Sequence, residues 1–203
     1  MTSPRWRALL PLAGGAALLV ALAGGLLSPG RILATRDVLQ FHLPLRTTFA
    51  RLLAHGLPEW NSWISGGQPV LSDPSYAAFY PLTWALTLFP GPWAISLYAL
   101  VHLALGAAGA WVLLRHLGCR SLTAALGAAA WTAGGVTVSC ASALTLLGGA
   151  AWLPWILAST DALRRAAAGR EARRAVCALA ATLALALLNG EPVTAFCGAL
   201  AAT

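Results

Sequence analysis

WAISLYALVHLALGAAGAWVLL, residues 93–114, runs for 22 residues without a formal charge and contains a single imidazole, His102. As an α-helix it is roughly 33 Å long, enough to cross ~30 Å of hydrocarbon. Arg115, His116 and Arg120 close it on one side, and the same pattern recurs along the chain. Residues 8–27 (ALLPLAGGAALLVALAGGLL) are 20 consecutive apolar residues behind Arg5 and Arg7. Further runs cover 122–140 and 143–160, joined by an uncharged turn, and 175–195, which follows the arginine-rich stretch 161–174. The expected fold is all-α, a polytopic transmembrane helical bundle of about five spans. Its first span is read as an uncleaved signal-anchor, because more apolar spans follow it.

Composition agrees. Hydrophobic residues make up 59% of the chain and charged residues 9%, against roughly 25% charged in soluble domains. All 13 basic residues are arginine, and most sit in short clusters beside apolar runs. That arrangement serves membrane topology, so the net charge of +7 implies no nucleic-acid partner. With the N-terminus in the cytoplasm, nine arginines fall in cytoplasmic segments and four (Arg31, Arg36, Arg46, Arg51) in the loop 28–92 outside. The expected setting is a bacterial cytoplasmic (inner) membrane. Cys119, Cys140, Cys177 and Cys197 show no ligand spacing and read as small hydrophobes. The end at Leu200-Ala201-Ala202-Thr203 has no polar tail, so the chain is expected to be the N-terminal part of a longer protein.

Loop 28–92 concentrates the polar chemistry. It holds Asp37, Glu59 and Asp73, three of six acids, together with His42 and His55, two of four histidines. Val38, Phe41, Leu45, Phe49 and Leu52 recur at spacings of three and four, opposite Arg36, Gln40, Thr47 and Arg51. They predict an amphipathic interfacial helix on the outer membrane surface, kinked or shifted at Pro44. GLPEWNSWISGGQPVLSDPSYAAFYP (56–81) is rich in Gly, Pro, Asn and Ser and reads as an ordered irregular loop with interfacial aromatics. The apolar stretch 77–89 is too short to span and is expected to be re-entrant or interfacial.

Asp37, at the start of the amphipathic helix, is a candidate general base or ligand of a divalent cation, and equally a helix-capping acid. Glu191 sits in Asn189-Gly190-Glu191-Pro192, about 16 residues or ~24 Å beyond Ala175, toward the outer face. It either joins Asp37 at one external cavity or occupies an ordinary surface turn. His42 and Arg46, one turn apart, can hold a phosphate together or contact headgroups. His102 reads as a residue bonding between helices. No P-loop, GxSxG, HExxH or Rossmann fingerprint occurs.

Asp37-Val38-Leu39-Gln40-Phe41-His42-Leu43-Pro44, then Gly56-Leu57-Pro58-Glu59-Trp60-Asn61, Gly66-Gly67-Gln68-Pro69 and Phe79-Tyr80-Pro81 resemble the first external loop of YfhO-type bacterial membrane proteins. Those proteins resemble GT-C glycosyltransferases. Asn189-Gly190-Glu191-Pro192 is similar to the family's Gly-His-Pro-type motif, with Glu where His is common. The resemblance implies inverting transfer of a sugar from a polyprenyl-phosphate donor, bound at the membrane lipid surface, to a cell-envelope acceptor. Asp37 matches the acidic position that activates the acceptor or helps hold a metal. His42, Arg46 and Arg51 are the expected phosphate partners, and Trp60, Asn61 and Glu191 the expected pocket residues. The competing readings are a lipid or polysaccharide transporter and a non-catalytic membrane assembly subunit.

Overall fold

A computed structural model describes residues 25, 31, 32 and 36–201. The expected first span, 8–27, lies outside the described residues apart from Gly25. The described chain is mostly helical, and the sheet found within it is a two-residue antiparallel pair.

A π-helical turn, Val38–His42, leads into α1, Leu43–Leu53. Short strands β1 (Trp60–Asn61) and β2 (Gln68–Pro69) pair Trp60 with Pro69 and Asn61 with Gln68. A 3-10 turn, Pro74–Tyr76, precedes α2, Pro81–Leu86, and the long helix α3, Gly91–His116. Then come α4 (Ser121–Ala133), α5 (Gly135–Cys140), α6 (Leu144–Arg165), α7 (Arg170–Leu188) and α8 (Pro192–Ala201).

Among the described residues, two helical stretches are long and apolar enough to cross a membrane: Gly91–His116 and Ser121–Cys140. They contain the expected runs 93–114 and 122–140. The second is interrupted at Gly134, whose ψ of 143° is extended. Residues 143–160 lie within α6, which continues into Asp161, Arg164 and Arg165. Residues 175–195, expected as one span, are divided between α7 and α8. Gly190 takes a left-handed φ of 89°, and Pro192 has no N–H to continue the helical ladder.

Helix α6 is central, packing on α3, α5, α7 and α8. Its seams use small residues: Gly106 of α3 lies against the backbone of Ala151, Gly109 against Trp155, and Gly198 of α8 against Ile156. Polar side chains such as Ser96, His102, Thr132, Ser159 and Thr182 are buried, whereas Leu122, Leu126, Val136, Val193 and Phe196 are exposed. Small residues at helix contacts, hydroxyls inside and large apolar side chains outside are the pattern of helices surrounded by lipid.

The loop helix packs on protein. Leu45 and Phe49 join Val70, Tyr76 and Ala78, while Val38 packs with Tyr80, Ile95, Tyr98 and Leu144. The expected stripe included Phe41, yet His42 is the residue buried and Phe41 is exposed. The π turn accounts for this. Leu43 donates to the Val38 carbonyl five residues back, so the inward face advances by one residue before Pro44 begins the α-helix. Leu39 and Phe41 are the apolar side chains that this turn leaves exposed.

Candidate functional site

Arg46 lies where the loop meets α3. Helix α1 turns its guanidinium inward, where Nη1 donates to the Tyr76 carbonyl and, at 2.9 Å, to Thr83 Oγ1. The guanidinium carbon stands 5.4 Å from the centre of the Tyr98 ring, within cation–π range. Nη2 is buried and has no hydrogen-bond partner in the protein. Beside it is a cavity of about 60 Å³ whose lining includes Thr47, Phe49, Thr83, Leu86, Ile95 and Tyr98. Burial lowers the Arg46 pKa from its ordinary value, yet a guanidinium at neutral pH keeps its charge. A fixed cation with an open donor thus lies beside a largely apolar space.

His42, one turn earlier, accepts the backbone N–H of Leu144 on Nε2 at 3.1 Å. It thereby satisfies a free donor at the start of α6. The proton of the neutral ring must then sit on Nδ1, which is buried without a partner. Burial, and secondarily the charge of Arg46, push the His42 pKa down to about 4, against an opposing pull from Asp37.

The bundle supports this site through tyrosines. Tyr98 donates from its hydroxyl to Asn189 Oδ1, and Asn189 Nδ2 donates to the Thr145 carbonyl at 2.9 Å. His102 Nδ1 lies 2.8 Å from the Tyr98 carbonyl and donates to it, leaving Nε2 to accept from the Tyr80 hydroxyl at 2.9 Å. Trp152 Nε1 donates to the same hydroxyl at 3.1 Å. Burial raises the Tyr80 pKa, so the phenol stays neutral and able to donate. His102 therefore bonds to the loop, where bonding between helices was expected.

Two glycines let the 189–191 turn reach the loop. Gly148 leaves room for the Asn189 amide, which would collide with any side chain there. Gly190, at φ 89°, lies directly against the Pro74 carbonyl of the 3-10 turn. Glu191 is only 7% exposed, and its Oε1 accepts the Thr194 N–H at 3.3 Å, as a cap on α8.

The sequence-derived residues separate clearly. His42 and Arg46 come together, and Tyr98 and Asn189 connect them to the turn that carries Glu191. Asp37 is exposed at the head of the π turn, and its side chain makes no capping bond. Arg51 is exposed on the last turn of α1, away from the Arg46 cavity lining. Trp60 is exposed, while Asn61 is fully buried and occupied: Nδ2 donates to the Tyr76 hydroxyl at 2.7 Å and Oδ1 accepts the Trp63 N–H at 2.9 Å. Asn61 thus braces the loop from behind. Among the described residues no group of three or more His, Cys, Asp or Glu is placed to hold a metal. A divalent cation at Asp37 would lack a protein donor set here, and no step is routed through one.

Sequence reasoning passed over Tyr76, Tyr80 and Tyr98 as site residues. They are all three tyrosines of the chain, and all lie at the junction of loop and long helix. Their scarcity was the available signal. No protein-family model, curated protein or solved structure matches this chain.

Proposed function

We propose that this chain belongs to an integral membrane glycosyltransferase, with about five spans within these 203 residues, acting at the extracytoplasmic face of a bacterial inner membrane. It moves a sugar from a polyprenyl-phosphate donor to a cell-envelope acceptor. The observation that carries this reading is the buried Arg46 guanidinium, with Nη2 unpaired beside an apolar cavity at the loop–bundle junction. A lipid phosphate matches both halves of that space, an anionic oxygen on Nη2 and hydrocarbon along Phe49, Leu86 and Ile95.

In the transfer, an acceptor hydroxyl oxygen attacks the anomeric carbon and the bond from that carbon to the phosphate oxygen breaks. The bonding pair leaves on the lipid phosphate, whose growing charge Arg46 offsets in a dry setting. The hydroxyl proton passes to a base. Asp37 is assigned that role because it is exposed at the head of the π turn, open to an incoming acceptor. His42 is unsuited to it, since its acceptor nitrogen already holds Leu144.

The test is transfer and donor binding by the full-length protein in nanodiscs. Arg46→Met is expected to abolish donor-phosphate binding and Arg46→Lys to weaken it. Asp37→Asn is expected to stop transfer while leaving donor binding intact. Undiminished transfer by Arg46→Met would refute the reading. Lipid flux that persists in Asp37→Asn would replace it with transport.

A further inference from the structure

The hairpin that spans Glu59 to Val70 displays an indole that the chemistry above does not use. Trp60 is 56% exposed although the next residue, Asn61, is fully buried. The ring is braced along one edge. Gly67, at φ 115°, abuts it so closely that a Cβ there would come within 2.6, 2.8 and 2.9 Å of Cζ2, Nε1 and Cε2. The backbone beneath is tied down as well. Val70 N–H donates to the Glu59 carbonyl at 2.9 Å, and Gly67 N–H to that of Ile64 at 2.8 Å. Asn61 and Gln68 both donate to the Tyr76 hydroxyl, at 2.7 and 2.9 Å. An aromatic held this firmly loses little freedom when something stacks on it.

An exposed indole at a membrane surface serves either the lipid interface or a ligand with an apolar face. Charge separates the two. An anchor on an anionic leaflet is accompanied by basic residues. Between Arg51 and Arg115 this chain has no arginine or lysine, and its ionised groups there are the acids Glu59 and Asp73. The other exposed polar groups of the hairpin include the hydroxyls of Ser62 and Ser65 and the Glu59 carboxylate. With Trp63 also exposed on the hairpin, the surface offers aromatic faces, hydroxyls and a carboxylate, and no basic group of its own.

We propose that Trp60 is a stacking platform for a pyranose ring of a neutral or N-acetylated glycan. The C–H face of the sugar lies on the indole, and its hydroxyls meet the polar groups of the hairpin. The inference rests on reading the loop as the sugar-handling face, and it gives the acceptor glycan a place of its own, apart from the cavity at Arg46.

The test is calorimetry and saturation-transfer NMR on the protein in nanodiscs with neutral and N-acetylated hexose oligosaccharides. Trp60→Ala is expected to weaken binding about tenfold, while Trp60→Phe keeps most of it. Amide-exchange protection across 61–76 that stays unchanged in Trp60→Ala assigns the loss to the indole and not to unfolding. Isoprenyl-phosphate binding, measured on the same samples, is expected to be unchanged in Trp60→Ala, so failure of the donor reading registers separately. Absence of saccharide binding, or binding undiminished in Trp60→Ala, overturns the proposal. So does quenching by brominated lipids that drops when Trp60 is replaced by Phe, which would make the residue a membrane anchor.

Discussion

Replacing Gly148 by alanine should dislodge Asn189, a fully buried side chain that ties α3 to α6. A methyl group at this position collides with the Asn189 amide, so Asn189 must leave its seat between α3 and α6. Its departure breaks the bond from the Tyr98 hydroxyl and the bond to the Thr145 carbonyl. Both partners then lose a bond in a dry interior, at about 1–3 kcal/mol each, or roughly 2–6 kcal/mol together. For a chain of this size that lowers the melting temperature by on the order of 10 °C. The assay is thermal unfolding of the detergent-solubilised protein, run as a double-mutant cycle. Asn189→Ala alone should cost a similar amount, and adding Gly148→Ala to it should cost almost nothing further, because the obstruction is gone. Two losses that simply add would refute the argument, since they would mean that Gly148 and Asn189 do not occupy one space.

Other consequences follow from the same geometry. His42 is held neutral in the folded loop with a pKa of about 4 against 6.5 for the free side chain, so the unfolded chain binds its proton more readily. The stabilisation is complete above about pH 6.5 and is lost as pH falls toward 4, amounting to roughly 1–2 kcal/mol after allowance for solvent access. Proteolysis of the loop should accelerate over that window, and His42→Leu should flatten the dependence. Gly190→Ala forces a side chain into a left-handed turn against the Pro74 carbonyl, and amide exchange in residues 74–80 should rise by a factor of about ten or more. Tyr76→Phe leaves the buried Asn61 amide without its acceptor, at about 1–3 kcal/mol. It should raise exchange at Asn61 and Val70 while leaving α6 unchanged.

Helix α3 was legible because 22 uncharged residues admit few other states. The loop helix was legible too, but its phase was not. Whether Phe41 or His42 turns inward depends on one extra backbone residue in a π turn, and spacing counts carry no sign of it. Arg46 could be paired with His42 from their separation of four. That His42 faces Leu144, 102 residues onward, is a tertiary fact with no local signature. Asn189-Gly190-Glu191-Pro192 stood out as a polar break in an apolar run, and attention went to its charged member. The structure gives the longer reach to the neutral amide, because Asn189 can donate and accept at once in a buried space where a carboxylate can only accept. The burial of Asn61 was hidden for a related reason: side chains in an irregular loop look available until the loop is seen to have an interior.

The bond between His42 and Leu144 also bears on the order in which the molecule is made. The loop helix is synthesised early, but the backbone group it holds arrives 102 residues later. At about 5–20 residues per second that delay is roughly 5–20 s. Tyr98 waits a further 91 residues, counted from its own position, for Asn189. During synthesis the loop therefore lacks its bond to α6 until that helix has formed and packed against it. The space beside Arg46 is lined wholly by residues 46–98, so it can close as soon as the long helix packs on the loop, before the bonds from α6 and Asn189 lock it in place.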